Sequence, residues 1–164
     1  MPEEPGPGQE SVWDYPRPPD VVADRRPVVV RFGPAGEEVC RTTRALRVRE
    51  TSHPPTFYLP LADFRPGALR PAQGRSLCEW KGQASYLDVV ASDGRVAAGA
   101  AWTYREPYPA YEELRDHVAL YAAAVDEVTV AGERVRPQPG SFYGGWVTDD
   151  VVGPFKGAPG SMGW

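Results

Sequence analysis

Lysine is nearly missing from this chain: two of its 18 basic residues are lysine, and all the others are arginine. Cysteine, histidine and methionine are down to two each. Cys40 and Cys78 stand far apart with no Cys-x-x-Cys pair, which excludes the paired-ligand zinc sites that hold many small domains together. Two histidines do not complete such a ligand set, so no metal and no cofactor is expected. No apolar run approaches the roughly 20 residues of a membrane-crossing helix. The opening Met-Pro-Glu-Glu has neither the basic start nor the apolar stretch of a signal peptide. These absences together set the expectation of a cytoplasmic protein with no membrane partner and reduced cysteines.

Surplus positive charge is lacking as well. The net charge is −4, which argues against general nucleic-acid binding. One local exception is Arg41, Arg44, Arg47 and Arg49, four arginines within nine residues. They make either a patch able to hold phosphate or one solvated strand face.

What the chain has in quantity is 19 prolines and 17 glycines in 164 residues. With few long apolar runs, that composition reads as many short strands joined by tight turns. The expectation is a mainly β, compact single-domain β-sheet fold, with residues 1–10 a flexible tail and 11–164 the globular domain. Prolines 16, 18 and 19 forbid a helix over Ser11–Pro19, which should cross the body as a strap pinned by Trp13 and Tyr15. Strands are predicted at Val28–Phe32, Glu37–Arg41, Leu46–Glu50, Thr56–Leu59, Ser76–Trp80, Ala84–Ala91, Val96–Tyr104, Glu127–Val130, Arg134–Arg136 and Gly145–Thr148. A single amphipathic helix is predicted near 111–124. Leu114, Val118, Tyr121 and Val125 recur there at helical spacing, behind Pro109 and two glutamates suited to a first turn.

Four segments carry chemistry. Glu50-Thr-Ser-His-Pro-Pro55 presents a carboxylate, two hydroxyls and an imidazole on a rim stiffened by its prolines; His53 suits acid/base work and Glu50 could orient it, unless these groups merely cap a loop. Both lysines sit in aromatic-Lys-Gly triplets, Trp80-Lys81-Gly82 and Phe155-Lys156-Gly157, where a ring, a compact charge and a close-approach residue coincide. Strand alternation through Ser76–Gly82 sets Cys78 and Trp80 on one face and Glu79 and Lys81 on the other. Trp102 and Tyr104 share a face two residues apart and form a stacking floor or part of the core. Tyr143 and Trp146 flank paired glycines, and a tail ending in Met162 and Trp164 should dock on the body.

Taken in order, Glu10-Ser-Val-Trp-Asp-Tyr-Pro-Arg-Pro-Pro19, Ala45-Leu-Arg-Val48 with Glu50–Pro55, Cys78-Glu-Trp-Lys-Gly82, Phe142-Tyr-Gly-Gly-Trp146 and Gly153-Pro-Phe-Lys-Gly157 resemble the bacterial family called domain of unknown function 427. The resemblance runs from residue 10 to 164. It implies a β fold like the β-tent of methionine sulfoxide reductase B and the cereblon ligand-binding domain, without the zinc that Cys-x-x-Cys pairs hold in many members of that fold. The family also carries a nucleotidyltransferase label. The Gly-Ser with paired aspartates that two-metal nucleotidyl transfer uses is not seen here, since Asp149 and Asp150 are adjacent and point apart if extended.

The leading expectation is a small-molecule cleft walled by Trp80, Trp102, Tyr104, Tyr143 and Trp146, with Glu50, His53 and Lys81 as its polar and candidate catalytic groups. Whether it catalyses is open at this point, as is the oligomeric state. The alternatives are a non-catalytic protein- or peptide-binding module and a nucleotide-binding or nucleotidyltransferase-like protein.

Overall fold

The computed structural model describes all 164 residues. Fifteen strands run in the order β1 (Glu10–Ser11), β2 (Asp20–Asp24), β3 (Val28–Arg31), β4 (Glu38–Thr42), β5 (Ala45–Arg49), β6 (Thr56–Pro60), β7 (Leu69–Cys78), β8 (Gly82–Val90), β9 (Val96–Thr103), β10 (His117–Leu120), β11 (Glu127–Val130), β12 (Glu133–Arg134), β13 (Arg136–Pro137), β14 (Trp146–Val147) and β15 (Val151–Val152). The protein is mainly β, with short 3-10 turns between strands. Seven strands form one sheet in the order β2-β5-β6-β10-β9-β8-β7, and four form a second in the order β12-β11-β3-β4.

Alternation explains how the two sheets stack. Phe57 and Leu59 of β6, Leu87 and Val89 of β8, and Val118 and Leu120 of β10 point to the four-stranded sheet and join Val28, Val30, Val39, Val128 and Val130 in one apolar cluster. Tyr58 and Ala119, which fall between them, lie on the opposite face with Ala84 of β8, Trp102 of β9, Val48, Tyr104, Tyr111 and Leu114. One face of the large sheet is therefore core, and the other is an aromatic floor.

No helix forms over 111–124. Pro109–Leu114 makes a 3-10 turn, Asp116 takes a φ of 61°, and the chain then runs extended as β10. Leu114 and Val118, neighbours on the expected helix face, end up in different clusters on opposite faces of the sheet. The cause is tertiary. β10 pairs with β6 on one side and β9 on the other, so its backbone donors satisfy two strands that would otherwise face each other unpaired. Its run Val118-Ala119-Leu120 is buried on both faces, the signature of an interior strand.

The strap crosses the body, although Val12–Asp14 winds one 3-10 turn ahead of the prolines, where no helix is expected from the sequence. Val12 and Tyr15 are buried, Tyr15 donates its hydroxyl proton to Glu10 Oε1 at 2.7 Å, and Trp13 Nε1 donates to the Pro154 carbonyl at 2.9 Å. Residues 1–10, expected as a flexible tail, make backbone bonds to the body: Glu3 N donates to Gly153 O at 2.9 Å, and Glu10 opens β1, which pairs in parallel with β15.

Each arginine of the Arg41–Arg49 cluster faces a carboxylate. Arg41 pairs with Glu38, Arg44 with Asp63 at 2.8 Å, Arg47 with Glu10 at 3.1 Å and Asp24 at 3.4 Å, and Arg49 with Asp20 at 2.7 Å. The positive charge of this cluster is met within the molecule.

Candidate functional site

The aromatic face of the large sheet opens into a cleft of about 490 Å³. Tyr58, Ala84, Tyr86 and Trp102 form its floor. The β7–β8 turn closes one side with Trp80 and Lys81, and the 138–144 loop closes the other with Tyr143. Glu50 and His53 stand at the end nearest the strap, together with Arg17. Glu50, His53, Trp80, Lys81, Trp102, Tyr104 and Tyr143 thus meet around one space.

Trp146 does not join them. It is 1% exposed, stacks on Phe57 with centroids 4.9 Å apart and planes 15° apart, and donates Nε1–H to the Leu120 carbonyl at 3.1 Å. Its neighbour Gly144 takes the wall position instead: a Cβ there would lie 2.2 Å from the Trp102 ring, so only glycine lets this backbone sit on the indole.

His53 is held by its own loop. Pro54 and Pro55 follow it, Thr51 Oγ1 donates to the Tyr15 carbonyl at 2.6 Å, and His53 Nδ1 lies 2.9 Å from the Thr51 carbonyl. A carbonyl only accepts, so the proton is on Nδ1 and Nε2 keeps a lone pair. The Thr51 carbonyl, rather than the Glu50 carboxylate, orients the ring; Glu50 faces Arg17 at 3.7 Å. Tyr143 packs edge-on against the imidazole at 4.9 Å. Burial depresses the His53 pKa, against the raising effect of the Thr51 carbonyl, so the cleft holds a neutral imidazole at pH 7.

That depression has a sign in stability. An unfolded histidine takes its proton near pH 6.5, while the folded His53 resists it. The unfolded state binds more protons as pH falls from about 7 toward 5, and stability drops by at most about 1.4 kcal/mol per pH unit in that window. His53→Asn, which keeps a side-chain donor near Nδ1, should flatten that part of the profile in urea unfolding. Identical slopes for the two proteins would show that His53 titrates as a free group.

Lys81 is the opposite case. Burial acts to lower its pKa, but the adjoining Tyr58, Cys78 and Glu50 outweigh it and leave the value above that of an ordinary lysine. It is an ammonium at pH 7, suited to holding an anion and unsuited to nucleophilic attack. Its Nζ lies 5.8 Å from the centre of the Tyr104 ring, within cation–π range. Burial raises the phenols of Tyr58 and Tyr104, so both remain protonated donors. The expected alternation through Ser76–Gly82 is interrupted: β7 ends at Cys78, which pairs with Gly82 across the turn, so Trp80 and Lys81 both line the cleft.

The second lysine lines the cleft in another role. Lys156 Nζ donates to the carbonyls of Met162 at 3.1 Å and Trp164 at 2.8 Å, tying down the end segment. Trp164 docks edge-on against Trp13 at 5.2 Å, whereas Met162 stays 94% exposed. Several lining residues are not among those expected from the sequence, Tyr58, Tyr86 and Arg17 among them. Tyr58 is legible there, since it alternates with core Phe57 and Leu59; Arg17, between prolines, carries no signal.

No curated protein matches the chain. A family model does match, over residues 20–131, a span that holds Glu50, His53, Trp80, Lys81, Trp102 and Tyr104 and stops short of Tyr143 and Trp146. With more than half of the 164 residues inside that match, the chain belongs to the family described as a domain of unknown function, DUF427.

Proposed function

We propose that the cleft binds a small molecule with a flat, largely apolar ring, held among Trp80, Trp102, Tyr104 and Tyr143, with His53 Nε2 available to accept a hydrogen bond or a proton. The observation that carries this reading is convergence: residues from four separate stretches of sequence line one cleft of about 490 Å³, within the size range of small-molecule sites. Aromatic walls and a few fixed polar groups are the usual anatomy of such a site.

A ligand at a hundred times its Kd stabilises the folded state by about 2.7 kcal/mol, a rise of roughly 5–10 °C in Tm for a protein of this size. Thermal-shift screening of planar ring compounds should return such shifts, and Trp102→Ala should remove them. A second reading rests on the rim, where Leu77 and Phe142 line the cleft and are 72% and 76% exposed. They suit an apolar peptide segment. Shifts produced by apolar peptides alone, and lost in Phe142→Ser, would favour that reading over the first.

A further inference from the structure

The floor of the cleft carries hydrogen-bond donors that are not taken up by protein carboxylates or carbonyls. Tyr58 is 1% exposed and Tyr104 5%, and both line the cleft. Trp102 Nε1–H donates to the Tyr58 oxygen at 3.3 Å, so that oxygen is already an acceptor and its remaining polar capacity is the O–H. The two phenols adjoin each other. Their ring centres are 6.2 Å apart, and even where one phenol donates to the other oxygen, one of the two phenolic protons remains.

Lys81 adds an ammonium beside them. No carboxylate lies within ion-pair distance of it, its aromatic contact is the Tyr104 face, and its polar neighbours are the Tyr58 phenol, the Cys78 thiol and, farther off, the Glu50 carboxylate. Of the two carboxylates on the cleft wall, Glu50 faces Arg17 at 3.7 Å, and Glu79 is exposed at the turn. Lys156, by contrast, has two carbonyl partners. None of the three is a buried polar atom without a partner; with donor capacity left over, they face the open space of the cleft.

We propose that Lys81 Nζ with the hydroxyls of Tyr58 and Tyr104 forms an anion subsite at the base of the cleft, and that it takes the carboxylate of a ring-bearing acid. One ammonium and neutral phenols match one negative charge, which favours a carboxylate over a dianionic phosphate ester. The ring then lies above, among the indoles and Tyr143. This rests on the small-molecule reading of the cleft and specifies the chemistry of its ligand.

Isothermal titration at pH 7.5 with 2-naphthoate, 2-naphthamide and 2-naphthyl phosphate tests it. The acid is expected to bind at least ~tenfold more tightly than the amide, the scale of one charge-assisted hydrogen bond. Lys81→Met should bring the acid down to the affinity of the amide. Tyr58→Phe, which removes one oxygen from the floor, should weaken the acid several-fold and leave the protein folded. Equal affinities for acid and amide, or a preference for the acid that survives Lys81→Met, overturn the subsite while the cleft reading stands. Tighter binding of the phosphate than of the acid overturns the carboxylate assignment. Binding of none of the three overturns the cleft reading and the subsite with it.

Discussion

Gly157→Ala is expected to cost more than about 4 kcal/mol, in the range reserved for backbone and core failures. Gly157 has a φ of 106°, and a Cβ at that position would lie 1.9 Å from the Pro139 carbonyl oxygen and 2.8 Å from its carbon. The conformation alone strains an L-residue by roughly 1–3 kcal/mol. The obstacle is backbone, so rotating a side chain cannot relieve it. The same crossing places Gly157 O 3.1 Å from a Cβ built on Gly140, and Gln138 Nε2 donates to the Lys156 carbonyl at 2.8 Å. The substitution thus pries the 138–144 wall of the cleft from the 153–157 segment. Calorimetry should show Tm lower by roughly 8 °C or more. Gly163→Ala serves as control, since a methyl group there would meet nothing within 4 Å. A Gly157→Ala protein melting within roughly 2 °C of the parent, about the effect of a surface change, would contradict this packing.

Trp146→Ala should be comparably damaging, at about 3–5 kcal/mol for emptying a core tryptophan site. Further loss comes from the Leu120 carbonyl, which forfeits the indole donor at 3.1 Å. Phe57 would lose its stacking partner, and that contact ties the 145–147 segment to the centre of the large sheet. The measurement is urea unfolding, where the midpoint should fall sharply. Trp102→Ala differs in kind: it too empties a buried site, at 8% exposure, but because Trp102 borders the cleft its removal should cost ligand binding as well as stability. If Trp146→Ala were nearly as stable as the parent and deficient in ligand binding, Trp146 would belong to the cleft after all.

These two residues also show what is legible in the sequence. Paired glycines beside Tyr143 and Trp146 announce close backbone approach, and the approach is real. Alternation cannot tell which tryptophan faces the core, because Trp146 belongs to a two-residue strand too short to have a pattern. The two aromatic-Lys-Gly triplets look like one motif with one purpose. What they share is a glycine at positive φ, 112° at Gly82 and 106° at Gly157, and the lysines before them diverge into an unpaired ammonium and a clamp on the chain. Strand Glu127–Val130 has the boundaries its pattern predicts. The helix does not form, because Leu114, Val118, Tyr121 and Val125 keep helical spacing by accident of a path that turns at Asp116 and then crosses a sheet. Local periodicity cannot register a vacancy between β6 and β9, which exists only once distant segments have met. For the same reason the meeting of 50–53, 80–81 and 143 is, in the sequence, an expectation from residue type alone.

That vacancy governs how the molecule is assembled in time. β10 alone joins β2-β5-β6 to β9-β8-β7; without it the large sheet is two three-stranded halves, each with a bare edge. The joining strand arrives some sixty residues after β6 in the chain, so closure is a long-range event of the kind that makes β proteins slow to fold. The hydrogen bond from Trp102 to Tyr58 spans those halves. The floor of the cleft therefore does not exist in either half alone and appears only when the seam shuts. A molecule bound across it would act as a bolt on that seam, slowing unfolding while having no purchase on the chain during its folding.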